Sequence, residues 1–329
     1  MRKFALPLLT FALLSFVPFS APLGAQDSER PTIEAHTEGM TRTEGFIPMY
    51  WDADEEEMFL EISMFDEDLL HYVSLPAGLG QNDLGLNRGD LGPSAVVQFR
   101  LTGQRIMVVE PNYSYRALSD DPLEVKSVDD GFPTSIHWGF DIEAQTGDRY
   151  LVDATDFFMR DAFGLAQSLS SQGSFRLENS RSSFFEPRTR NFPDNTEVEL
   201  EMTFVSNSAG GTLRSVTPTA TALTVRQHHS FVRLPAIDDF EMRAYDPRSG
   251  FFGTSYYDFA TPIQEPLQKR FINRHRLEKQ DPSAAMSPPV EPIIYYLDPG
   301  TPEPVRTALL TGGAWWNQAF EAAGFIDAF

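Results

Sequence analysis

Six histidines are the first residues to ask for chemistry: His36, His71, His137, His228, His229 and His275. None opens an H-E-x-x-H pattern, the helical spacing that puts two imidazoles on one zinc ion beside a basic glutamate. His275-Arg276-Leu277-Glu278 sets a histidine and a carboxylate one helical turn apart. The inverted zinc motif needs a histidine after that glutamate, and Lys279 stands there. His228 and His229 are adjacent in a predicted strand, so they point to opposite faces and cannot both grip one ion. Gly253-Thr254-Ser255-Tyr256-Tyr257 lacks the second glycine of a nucleophile elbow. The glycine-dense stretch Gly78 to Gly89 has neither a Gly-Lys-Ser/Thr ending nor Gly-x-Gly-x-x-Gly spacing, so it reads as a shaped connecting loop rather than a phosphate cradle. Asp52-Ala53-Asp54-Glu55 lacks the order of a calcium loop and reads as a solvated turn. No residue is therefore assigned a catalytic, cofactor-binding or metal-ligating role. The aromatic cluster Phe251, Phe252, Tyr256, Tyr257 and Phe259, just before the basic stretch Lys269 to Arg276, is expected to serve interdomain packing.

The composition limits what such groups can be for. A formal net charge of -21 repels phosphate backbones, so nucleic acid is excluded as a partner. There is no cysteine, so packing alone must hold the fold, and a hydrophobic content of 41% is ample for it. Arg2 and Lys3 precede the apolar run Phe4 to Phe19, which is short and broken by Pro7 and Pro18, and Ala25 is small enough for cleavage before Gln26. Residues 1–25 thus read as a signal peptide, and the mature chain as secreted or periplasmic. No second apolar stretch is long enough to span a bilayer, so no stable membrane anchor is expected after cleavage.

The elements that must position these residues are mostly strands. Residues 26–44 are polar and aperiodic and read as a flexible leader. From residue 45 onward, Phe46 to Trp51 with Met58 to Met64, and Ala95 to Leu101 with Arg105 to Glu110, have the alternation and turn residues of hairpins. Leu69 to Leu75, Ile136 to Ile142 and Tyr150 to Val152 add strands. Asp153 to Ser170 changes to helical period, with Asp153 or Thr155 as cap and Gly173 as stop, which predicts one inserted helix. Arg176 to Asn195 reads as a long connection. Glu197 to Val205 alternates Val198, Leu200, Met202 and Phe204 against Glu197, Glu199, Glu201 and Thr203, predicting a strand with one wet face, paired with Leu223 to Leu234. Residues 45–244 form a β-rich N-terminal domain on this reading, and 245–290 a linker. In 291–329, Ile293 to Leu297 predicts a buried strand. Thr301 and Pro302 then open a helix whose stripe is Val305, Leu309, Gly312, Trp316, Phe320 and Ala323, with Gly324 and Phe325 as its stop.

The ordered blocks DPRSGFFG, YYDF, RFINRHRLEKQDP, IIYYLDPGTPEPVR and WWNQAFEAAGF resemble the junction in large secreted bacterial zinc-dependent metalloproteases of the metzincin type. EGFIPMYWD, LGLNRGDLG and FPDNTEVELEMTF resemble the N-terminal region of unassigned function in the same family. The resemblance implies an α+β chain: a predominantly antiparallel β region with one inserted helix, followed by the opening β-α unit of a metzincin-like catalytic domain, of which 291–329 would be a truncated start. It implies peptide-bond hydrolysis by zinc in the full-length relative, with the H-E-x-x-H helix downstream. This chain, lacking that motif, is expected to hold no cofactor itself and to be inactive alone. Its expected partners are the downstream catalytic domain of its own full-length chain and, through it, a polypeptide substrate. The competing reading is an exported, non-enzymatic β-rich module that binds a polypeptide or a glycan.

Overall fold

The structure, a computed structural model, describes residues 30–236 and 240–329. The expected signal peptide lies outside them. A helical turn α1 (Ile33–His36) leads into β1 (Thr41–Thr43), β2 (Met49–Asp52), β3 (Glu57–Ile62), β4 (Leu69–Ser74), β5 (Leu91–Thr102), β6 (Arg105–Glu110) and the short β7 (Tyr115–Arg116). After α2 (Pro122–Gly131) come β8 (Ser135–Thr146), β9 (Arg149–Asp153), α3 (Thr155–Phe158) and α4 (Leu165–Ser168). Three two-residue strands, β10 (Arg176–Leu177), β11 (Ser183–Phe184) and β12 (Arg190–Asn191), precede the long β13 (Asn195–Val205), the turn α5 (Gly211–Arg214) and β14 (Ala222–Arg233). Then follow β15 (Gly253–Asp258), β16 (Gln268–Ile272), α6 (Val305–Ala314) and α7 (Trp316–Ala322).

One antiparallel sheet, in the order β1-β2-β3-β9-β8-β6-β5-β4-β14-β13, carries β10, β11 and β12 on the outer edge of β13. Its tight turns need left-handed backbone: Gly103 between β5 and β6 has φ 60, and Gly147 between β8 and β9 has φ 63. The inward residues of the strands, among them Val97, Phe99, Val108, Phe140, Val198, Leu200, Met202, Phe204 and Phe231, form one core, closed by Phe157 and Phe158 of α3. A second, three-stranded sheet joins β16, β15 and β7, with β15 antiparallel to β16 and parallel to β7.

Both predicted hairpins form, and so do the strands at β4, β8, β9, β13 and β14, in a mostly antiparallel β protein with few helices. Several expectations are corrected. Residues 30–44 are not a flexible leader. Ile33 is fully buried against Tyr50, Phe59, Ala144 and Leu151, and Arg149 ties Glu34 (2.7 Å) to the buried Glu61 (3.1 Å). The helix expected over Asp153 to Ser170 is two single turns. The Asp161 carboxylate accepts the N–H groups of Gly164, Leu165 and Ala166 and starts α4 afresh. The longer helix is α2, missed by the sequence reading, with Asp121 as N-cap to Leu123 and Pro122 at its first position. The outer face of β13 is only partly wet: Glu199, paired with Arg226, is 3% exposed and Thr203, bonded to the Arg181 carbonyl, 5%, while the Glu201 side chain is 42% exposed. The linker 245–290 carries the β15–β16 hairpin.

The C-terminal unit departs furthest. Ile293 to Leu297 forms no strand, and Ile294, Tyr295 and Tyr296 are exposed, because among the described residues no strand lies beside them to take their main-chain hydrogen bonds. The helix begins at Val305 rather than after Thr301, and none of its expected stripe is buried. Its stop is as expected: Gly324 is left-handed at φ 90, and Phe325 N–H donates to the Phe320 carbonyl at 2.9 Å.

Candidate functional site

Cross-strand register assembles a charged ladder that spacing alone did not disclose. On the outer face of β13 and β14, Glu197 stands opposite Ser230, Glu199 opposite His228 and Glu201 opposite Arg226, so side chains of complementary charge meet directly or on the diagonal. His228 Nε2 lies 2.6 Å from Glu197 Oε2, and its Nδ1 3.2 Å from Glu199 Oε2. A ring with both nitrogens facing carboxylates must donate from both, which makes it an imidazolium. Burial opposes that charge, but hydrogen bonding and attraction from Glu197 and then Glu199 outweigh it and hold His228 above the usual histidine range. Burial likewise pushes the Glu197 carboxyl up, and hydrogen bonds from His228, Ser230 and Asn195 (2.6 Å to Oε1) bring it below the usual range. Arg226 completes the row, bonding Glu199 and Glu201 while its guanidinium sits 3.6 Å from the centre of the Phe185 ring.

The ladder floors a cleft of about 650 Å³ whose walls include Tyr72, Ser74, Arg188, Arg190 and Phe192. Its chemistry is ionic binding and strand locking. Ser230 Oγ donates to Glu197, not to His228, so the serine has no base to activate it. Zinc does not fit here either. Both nitrogens of His228 already serve carboxylates, and among the described residues no three His, Asp or Glu side chains are placed to hold one ion.

We predict that Glu197→Gln will lower the His228 pKa toward its ordinary value and cost about 1–3 kcal/mol. Because the folded pKa of His228 is raised, its contribution is complete below the unfolded value and is lost as pH rises through the folded one. The gap between wild type and variant should therefore narrow toward alkaline pH. An NMR titration in which His228 titrates identically in both proteins would remove Glu197 as the cause.

His229 turns to the other face, as adjacency in a strand requires, and is fully buried with His71 beside it, Nε2 of His71 to Nδ1 of His229 being 3.2 Å. His137 lies 2.7 Å from Glu110, His36 packs edge-on to Phe59, and His275 is exposed. Ser255 is an exposed residue in the middle of β15, not a nucleophile on a turn. The Gly78 to Gly89 loop is shaped as expected, with Gly80, Gly85 and Gly89 at positive φ. Asp52 Oδ1 accepts the N–H groups of Asp54 and Glu55, which closes the acidic turn on itself. In the aromatic cluster, Tyr257 stacks on Tyr115 and Phe259 tilts against Phe132, while Phe251 and Phe252 stay exposed.

A second candidate surface is apolar. Ile293 to Leu297 and α6 flank a cleft of about 610 Å³, lined also by Leu309, Leu310 and Phe329, and Trp315 and Trp316 remain exposed nearby.

Residues 89–280 match the family model described as a domain of unknown function, DUF5117. The chain belongs to this family. No curated protein and no solved structure matches it. The DUF5117 match takes in β5 through β16, and therefore the whole charged ladder. It leaves out β4, which sits between β5 and β14 in the same sheet, and the apolar unit after residue 280. No helix among the described residues is long and apolar enough to cross a membrane.

Proposed function

We propose that this DUF5117 chain is the non-catalytic N-terminal region of a secreted or periplasmic zinc-dependent metalloprotease of the metzincin type, and that it acts as a scaffold for the catalytic domain. Zinc, the general base and the polypeptide substrate would belong to that domain. The observation that carries the reading is the apolar face of residues 293–329. Tyr295 and Tyr296 are 73% and 92% exposed, and Trp315 and Trp316 are 67% and 60% exposed. Clustered apolar area of this kind marks a surface that another element covers. The blocks IIYYLDPGTPEPVR and WWNQAFEAAGF, which carry the family resemblance, are the segments that form it.

The same unit is tied to the β region by Arg88 of the glycine-rich loop, which pairs with Asp298, and to the linker by Lys279, whose ammonium lies over the Phe325 ring; these ties favour a permanent scaffold over a detachable cover. Residues 26–290, added in trans to a separately produced catalytic domain, should restore its solubility or activity. Dose-dependent inhibition would instead assign the β region a latency role, and no effect in either direction would remove the scaffold.

A further inference from the structure

The great sheet has an opening in its middle. Strand β5 pairs with β4 through Leu91 to Val97 but with β6 only from Gln98 to Thr102. The ladder stops for a covalent reason: beyond the Gln98–Val109 pair, β6 runs through Glu110 into Pro111, which has no N–H to give, and the chain leaves toward β7. The direction of the freed groups follows from alternation. Asp66 N–H donates to the Phe99 carbonyl on the β4 side, so Val97 and Ala95 also face β4, and Val96 and Ser94 face away from it, as far as the register shift that follows Ser94. Among the described residues, no strand or side chain pairs with that side of Ser94 to Val96. Two N–H and two C=O groups, those of Ser94 and Val96, are left open over about 7 Å.

We propose that this edge of β5 takes up an extended segment of another polypeptide as an added strand. Three features fit such a guest. The open part of the edge lacks the charges that usually deter pairing: Ser94 to Val96 carries none. The edge forms one wall of a groove of about 440 Å³, and the facing wall, Asn112, Ser114, Thr254 and Ser255, offers amide and hydroxyl groups to the guest's second edge. Arg116, over the Tyr256 ring at 4.4 Å, and His137, 2.7 Å from Glu110, stand beside the groove with partners already engaged. Affinity therefore comes from main-chain hydrogen bonds and is tolerant of guest sequence, while a net charge of -21 favours a basic segment. The proposal stands apart from the protease reading, since it needs only the β region.

The test uses the full chain and a fluorescein-labelled valine/threonine heptapeptide with a lysine at each end. Binding should slow hydrogen exchange at the amides of Ser94 and Val96. A peptide N-methylated at alternate residues, and so stripped of donors on one edge, should bind at least tenfold more weakly. Val96→Pro removes a donor from the open edge and should weaken binding at least tenfold. Ser255→Trp fills the groove from an exposed position on the opposite wall and should do the same without disturbing the sheet. Undiminished binding by both variants, or equal binding of the N-methylated peptide, would overturn the proposal.

Discussion

Acidification from pH 7 to pH 5 should cost this protein about 2 kcal/mol of stability through buried His71, with buried His229 adding to the loss in the same direction. The side chains of Gln227, His229 and His71 form a directed chain. Phe163 N–H donates to Gln227 Oε1, so the Gln227 amide nitrogen donates to His229 Nε2 at 2.9 Å and to the Arg160 carbonyl. His229 must then carry its proton on Nδ1 and give it to His71 Nε2. A further proton would meet a donor at either ring. Burial lowers His71 to about 3, helped by Arg160 and His137, and holds His229 well below its ordinary value, helped by His71, Arg160 and His228. Both rings stay neutral in the fold and gain a proton on unfolding. The unfolded chain therefore binds more protons below pH 6.5, and stability falls from there down toward the folded values, by about 2 kcal/mol for His71 at pH 5 and further in the same direction for His229. His228, shifted the other way, offsets part of the loss. Urea unfolding at several pH values reads this directly, and His71→Leu with His229→Leu should flatten the profile. An unchanged slope in the double variant would place the acid sensitivity elsewhere.

Phe157→Ala should cost about 4 kcal/mol, the upper range for loss of a buried ring, because the site has no means of collapsing. Phe157 is fully buried in the single turn α3, and its ring lies within 6 Å of Trp138, Phe140, Phe158, His71, His229 and Phe231. Those neighbours come from β4, β8, β14 and α3 itself, so the cavity would open where separate parts of the sheet meet. Phe252→Ala, at a ring 88% exposed, should change stability by no more than about 0.5 kcal/mol. Equal midpoints for the two variants in urea would mean that α3 is not the plug of the core.

Strand content was legible in the residues because its signal is local. Val198, Leu200, Met202 and Phe204 alternate, and a period of two survives whatever the strand pairs with. The opposite orientation of His228 and His229 followed from the same geometry. Helices were less legible. A helical period over Asp153 to Ser170 could not show that Asp161 would take three backbone N–H groups and restart the helix, nor did α2 stand out, with Val128 its one buried residue. Ile293 to Leu297 has strand composition and forms no strand, because composition supplies side chains while a strand needs a neighbour for its backbone.

The sequence by itself determined the β-rich character, the turn positions at Gly103 and Gly147, the lack of a disulfide framework and the acidic charge, since each depends on residue identity or near neighbours. Tertiary structure alone decided register and direction. Register made a ladder of Glu197, Glu199, His228 and Ser230, residues about 30 positions apart, and buried Glu199 and Thr203 on the side of β13 expected to face water. The same long-range pairing joined β4 to β14 across 158 residues between His71 and His229, and ended β6 early enough to leave Ser94 to Val96 open. Such pairings rest on which distant strand lies alongside, and no local period encodes that choice.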